Sequence, residues 1–124
     1  MARILVTDDE DAIRGLLCRA LELDGHEVAT ASDGAAALEE LASSPYDLLL
    51  SDIRMPVMDG IALALSAARE WPQLTILLMT GFADQRERAS DLEALIHDVV
   101  VKPFSVADIR AAVTDALSAR SAAA

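Results

Sequence analysis

The sequence predicts an α/β domain built on a five-stranded parallel sheet with helices on both faces. Three observations carry that expectation. Short runs rich in Val, Ile and Leu have strand length and are nearly continuous, as in strands buried on both faces. Amphipathic stretches of helical length alternate with them, so parallel strands joined by right-handed crossovers are the economical arrangement. Four of the runs also stop at a chemically useful residue: Asp8 and Asp9, Asp52, Thr80, and Lys102.

Arg3 to Thr7 reads as the first strand. Asp11 to Asp24 reads as a helix with Ile13, Leu16, Leu17, Ala20 and Leu21 inward, stopped by Gly25. His26 to Ala31 alternates enough to be a more exposed strand, and Ala35 to Ser43 is a helix burying Leu38 and Leu41 until Pro45 ends it. Tyr46 to Ser51 is the third strand, and the loop IRMPVMDG leads to a helix from Ile61 to about Glu70, capped by Asp59.

Leu74 to Met79 is the fourth strand. Ala83 to Leu95 is a charged helix whose apolar stripe is only Ala89, Leu92 and Leu95, so mobility is expected there. Asp98 to Val101 is the fifth strand, and Ser105 with Asp108 resembles a capping box for a last helix carrying Ile109, Ala112, Val113 and Leu117. One domain, residues 3 to 119, is expected, with an Ala-rich tail at 120–124 that is disordered.

Composition narrows the function. The 124 residues hold 10 Lys and Arg against 21 Asp and Glu, a formal net charge of −11, which opposes direct nucleic-acid binding because that affinity rests on cations neutralising phosphates. No apolar run reaches the roughly 18 residues of a membrane span, and the start MARILVTDDED turns acidic where a signal peptide needs an apolar core. A cytoplasmic protein without membrane contact is expected. The single cysteine, Cys18, forms no internal disulfide and lies on the helical stripe of Ile13, Leu17 and Leu21, as a core thiol does.

In open α/β sheets, ligands bind at the carboxyl edge of the strands. Three carboxylates, a hydroxyl and an ammonium gathered there suit a divalent cation with a phosphoryl group. Asp52, ending the central strand, is the candidate nucleophilic oxygen. Asp8 and Asp9, with Asp52, would hold Mg²⁺, and the backbone carbonyl of Arg54 would add a ligand. Lys102 would meet the phosphoryl oxygens as a point charge and Thr80 would donate a hydrogen bond to one of them. Taken singly, each residue has an ordinary explanation: an acidic turn, a loop cap, a strand end, a surface charge. Their joint placement is what selects a site. His97 has neither a carboxylate nor a cysteine in motif with it and reads as a structural or surface residue.

The segments ILVTDDE, DLLLSDIRMPVMDG, ILLMTG and VVVKPF together resemble a two-component response-regulator receiver domain over residues 3 to 119. The resemblance implies a flavodoxin-like (βα)5 fold with strand order 2-1-3-4-5. It implies Asp52 as phosphoacceptor, Asp8 and Asp9 as the acidic pair, Thr80 as the switch hydroxyl, Lys102 as the phosphate-contacting lysine, and a histidine kinase or histidine phosphotransferase as donor. Val99 stands where receivers carry Tyr or Phe, three positions before the lysine, so the readout is expected from the region Phe82 to Leu95 instead. Arg54 and Phe82, two positions beyond Asp52 and Thr80, stand where receiver side chains govern water access to the acyl phosphate.

Nothing after the last helix is long enough for an output domain, so output by protein binding is expected. The Ala-rich composition, Val99 and HDVVVKPFS are similar to CpdR-type receivers, which implies a phosphorylation-controlled adaptor for the ClpXP protease, active when unphosphorylated. A phosphate relay or sink is the alternative within the family. A small haloacid-dehalogenase-like Mg²⁺-dependent phosphatase is an alternative of another class, with Asp9 and Asp11 as its D-x-D pair. A receiver would be no enzyme beyond slow self-dephosphorylation. A nucleotide site lacks the glycine-rich loop it needs after the first strand.

Overall fold

In the computed structural model the described residues are 2–55, 57–81, 96–101 and 105–123. Five strands, β1 (Arg3–Thr7), β2 (Glu27–Ala31), β3 (Leu48–Asp52), β4 (Thr75–Thr80) and β5 (Asp98–Val101), form one sheet. Their order is β2-β1-β3-β4-β5, and all four pairings are parallel. Helices α1 (Asp11–Leu23), α2 (Gly34–Ser43), α3 (Gly60–Glu70) and a C-terminal helix (Val106–Ala123) cover it. The fold is the doubly wound, flavodoxin-like one expected. The proposed helix at 83–95, Phe82 and Lys102 lie outside the described residues.

Sequence composition decides which strands are central. β3 is buried along its whole length and β4 nearly so, whereas β2 and β5, which alternate or carry charge, take the edges. Successive side chains of a strand point to opposite faces, so the sheet divides two cores. Leu5, Leu49, Ile76 and Leu78 join Ala37 and Leu41 of α2 and Leu63, Ala64 and Ala67 of α3 on one face. Ile4, Val6, Leu48, Leu50, Leu77 and Met79 join Leu17 and Leu21 of α1 and Ile109, Val113 and Ala116 of the C-terminal helix on the other.

Several expectations shift by a residue or a face. β3 and β4 end one residue later than expected, which makes Asp52 and Thr80 the last ladder residues of their strands. Leu16 is half exposed instead of facing inward, because the inward stripe of α1 runs through Leu17, Ala20 and Leu21, and Leu16 lies about 100° to one side. His97 is structural, as expected: its Nε2 lies 3.0 Å from Asp115 Oδ2 on the C-terminal helix, a pairing across 18 residues that no local motif announces. The C-terminal helix continues to Ala123 into the run where fraying is expected, in keeping with alanine's rank as the strongest helix former.

Caps and cross-ties close the elements. Asp33 and Asp59 accept from the backbone N–H groups of Ala36 and Ala62, each at 2.8 Å, as side-chain N-caps of α2 and α3. Ser105 and Asp108 form the expected reciprocal box at 2.9 and 3.0 Å. Arg110 donates from Nε to Asp24 at 2.9 Å, tying the C-terminal helix to the end of α1 and holding the Asp24 carboxyl below its usual range. At the amino edge of the sheet Tyr46 donates to Glu40 at 2.7 Å, and burial of the phenol, seconded by that bond, pushes its pKa up to about 12. Cys18 is half-buried and not among the core residues, and burial, seconded by Glu22, raises its thiol pKa.

Candidate metal and phosphoryl site

The parallel register brings the strand ends to one edge. Thr7 faces Ser51 across β1 and β3, Asp52 faces Met79 across β3 and β4, and Thr80 faces Val101 across β4 and β5. Asp8, directly after β1, is fully buried, and its backbone N–H donates to Ala31 at 3.3 Å, which extends the sheet bonding by one residue. The Asp8 side chain accepts from the Glu10 N–H at 2.9 Å, and the Asp8 carbonyl accepts from Arg14 at 2.7 Å. Arg14 also pairs with Asp11, so the first turn of α1 is tied to the β1 end. Asp9, next along, is exposed.

Asp52 is 6% exposed and Thr80 is 1% exposed. One carboxylate oxygen each from Asp8, Asp9 and Asp52 lies within 4.8 Å of the others. Three hard oxygen donors at that spacing fit Mg²⁺ or Ca²⁺, and without a cation they repel. Arg54 follows two residues later on the exposed rim. Thus Asp8, Asp9 and Asp52 come together at the expected edge, and Thr80 ends the neighbouring strand β4 on the same edge. Lys102 follows Val101, the last residue of β5, and itself lies outside the described residues.

The loop after Asp52 contains features that residue chemistry alone did not single out. The Gly60 N–H donates to Ile53 O at 2.7 Å, closing the loop back on the end of β3. A Cβ on Gly60 would lie 2.2 Å from the Asp52 carbonyl oxygen and 2.8 Å from Ile53 Cα, so this close approach requires glycine. The Asp-Gly pair at a helix start was the available signal.

Val57 in the same loop has φ 70°, a left-handed conformation that a β-branched residue adopts only under strain, and it is 84% exposed. Replacing it by glycine removes strain of about 2 kcal/mol and returns somewhat under 1 kcal/mol of unfolded-state freedom. Val57→Gly should therefore raise unfolding stability by about 1 kcal/mol, read as a higher urea midpoint. A lower midpoint would mean the isopropyl group is held by contacts that outweigh the strain.

The sequence profile of the response regulator receiver domain matches residues 4–114, a span that takes in all five strands but for Arg3 at the start of β1, and the whole acidic cluster. The chain belongs to the response regulator receiver domain family. This receiver is 40% identical over 109 residues to the response regulator receiver protein CpdR of Brucella abortus, covering 88% of this chain and 91% of that protein. It is also 40% identical over 115 residues to the DNA-binding transcriptional regulator NtrC of Escherichia coli, where the match takes in 93% of this chain and 24% of NtrC. The chain thus spans about a quarter of that relative's length. The solved structure of the response regulator TrrA from Thermotoga maritima in complex with Mg²⁺–BeF superimposes with a TM-score of 0.85 at 34% identity, over 94% of this chain and 99% of that one.

A receiver domain is a phosphoacceptor and not a catalytic enzyme, which sets the phosphatase alternative aside. Among the described residues no helix is long and apolar enough to cross a membrane.

Proposed function

We propose that this receiver is phosphorylated on Asp52, with Mg²⁺ held by Asp8, Asp9, Asp52 and the Arg54 carbonyl, and that the modification controls protein binding. The observation that carries the reading is the convergence of three carboxylates within 4.8 Å at the carboxyl edge of a receiver sheet. The TrrA structure, a complex with Mg²⁺–BeF, supports Mg²⁺ binding by a receiver of this fold. When bound, the ion supplies charge neutralisation for the transferring phosphoryl group.

The donor is a histidine kinase or a histidine phosphotransferase. An Asp52 carboxylate oxygen attacks the phosphorus of the donor phosphohistidine, the P–N bond breaks with its electrons returning to the imidazole, and an acyl phosphate forms. Burial of Asp52 at the sheet end restrains its side chain, and the N–H of Ile53, donating to Met79 O at 2.9 Å, fixes the backbone beside it. Thr80 donates its hydroxyl to a phosphoryl oxygen and Lys102 meets the same group with its charge. Labelling with acetyl phosphate followed by intact-mass measurement should show a single phosphoryl adduct with Mg²⁺ and none with excess EDTA. An adduct independent of Mg²⁺ would remove the metal from the reading, and no adduct at all would remove the acceptor.

The CpdR match, which spans nearly all of that protein, favours an adaptor output toward ClpXP or its substrates over a relay or sink. The responding surface is the face of β5, the C-terminal helix and the segment before β5. Val101 is 39% exposed there, and the His97–Asp115 pair bridges the β5 entry to that helix. Lysate capture separates the readings. Protease components enriched by Asp52→Ala and lost with beryllofluoride-loaded protein support the adaptor, whereas kinases and phosphotransferases alone support the relay.

A further inference from the structure

Gly34 opens α2, directly after its Asp33 cap, and lies buried against the loop that follows Asp52. A Cβ built there would sit 2.8 Å from Met58 Cβ, 2.8 Å from the Met58 carbonyl oxygen and 2.9 Å from Met58 Cγ. Two of these atoms are backbone or directly attached to it, so a side-chain rotation at Met58 cannot relieve the overlap. Ordinary contact begins near 3.4 Å, so one segment would have to move by about 0.6 Å. Gly34 has no left-handed φ; the closeness of Met58 is the reason a side chain is excluded.

Met58 cannot shift alone. Two residues later Gly60 presses on the Asp52 carbonyl and its N–H bonds Ile53 O, so Met58 is followed at once by a tie back to the end of β3. Met55 in the same loop has its Sδ 3.9 Å from Ser51 Oγ, a further tie to that strand. α2 starts next to the other half of the site, because β2 ends at Ala31, whose carbonyl accepts from the Asp8 N–H at 3.3 Å. The Gly34–Met58 contact therefore sets the distance between the β3–α3 loop and the Asp8 side of the edge.

We propose that Gly34 is a positioning residue for the metal site, whose missing side chain lets Met58 seat on the start of α2 and so places the Arg54 carbonyl and Asp52 relative to Asp8 and Asp9. This rests on the reading of those carboxylates as a Mg²⁺ site. Mg²⁺ demands oxygens at roughly 2.0–2.1 Å in near-octahedral geometry, a tolerance several times smaller than the shift an added methyl group imposes.

The test is calorimetric titration of Mg²⁺ into EDTA-stripped full chain, with folding checked by circular dichroism. Gly34→Ala should raise the Mg²⁺ Kd about tenfold, the scale at which groups supporting a metal's ligands act. Gly15→Ala, on α1 where a Cβ would meet nothing within 4 Å, is the control and should leave the Kd within about twofold. Met58→Gly removes two of the three close atoms. Alone it loosens the same seat and weakens Mg²⁺, and it reads the contact even where Gly34→Ala does not fold. In the double variant the two effects should be less than multiplicative. A Gly34→Ala Kd within about twofold of wild type, a Met58→Gly Kd within about twofold, or effects that multiply would overturn the proposal. Wild type that shows no saturable Mg²⁺ binding would overturn the metal reading as well, which keeps the two failures distinct.

Discussion

Asp52→Asn should abolish phosphoryl labelling and at the same time make the metal-free protein more stable. The first effect follows from chemistry: an amide oxygen in place of the carboxylate cannot form the acyl phosphate, so labelling should fall on the order of a thousandfold or more. The second follows from geometry. Asp52 shares its site with Asp8 and Asp9, with oxygens within 4.8 Å, and two unit charges at that separation repel by about 3.5 kcal/mol at an effective dielectric of 20. Solvent at exposed Asp9 and the attractive contacts of Asp52 reduce that figure. A net gain of about 1 kcal/mol in urea unfolding with EDTA is the expected result.

Mg²⁺ should shrink the difference, since the ion stabilises the wild-type site by binding the folded state alone. Retained labelling would place the phosphoacceptor elsewhere. A loss of stability would show that the charge of Asp52 is held by attraction more than it is opposed by its neighbours.

Gly60→Ala should produce the largest structural loss. Its Cβ would stand 2.2 Å from the Asp52 carbonyl oxygen and 3.0 Å from the carbonyl carbon, both in the fully buried end of β3, where neither rotamer change nor solvent can absorb the overlap. Overpacking against mobile side chains costs about 1–3 kcal/mol, and an obstacle made of backbone belongs at or above the top of that range. Opening the 2.7 Å bond from Gly60 N–H to Ile53 O adds to it. A fall of about 3 kcal/mol or more in unfolding free energy is expected, together with at least tenfold slower labelling of the folded protein, because the displaced backbone carries Asp52, the proposed phosphoacceptor. A loss below about 1 kcal/mol would mean that the β3–α3 loop has another seat open to it.

Much of the fold was legible because its signals are local. The buried runs ILV and LLL have the strand period and sit between helical stripes, so element order and the parallel sheet could be read directly. The polar residues that end those runs could be assigned to one edge because every strand of a parallel sheet points the same way. The sheet has the 2-1-3-4-5 order that the motifs implied, and Asp8, Asp9 and Asp52 converge as that order requires.

What the sequence left open or misplaced depends on who faces whom. Leu16 and Leu17 are the same residue type one position apart, and only the packing of α1 against β1 and the C-terminal helix decides that Leu17 is 1% exposed and Leu16 50%. His97 finds Asp115 across the β5–helix junction, a pairing set by the distance between two elements.

From the sequence alone came the class of the domain and the edge where Asp8, Asp9 and Asp52 gather, since strand period and strand direction are properties of the chain itself. Only the tertiary structure decided how tightly that edge is held. Gly34 answers to Met58, 24 residues away in the chain, and a close approach between distant segments is a relation between surfaces that no local pattern of residues encodes.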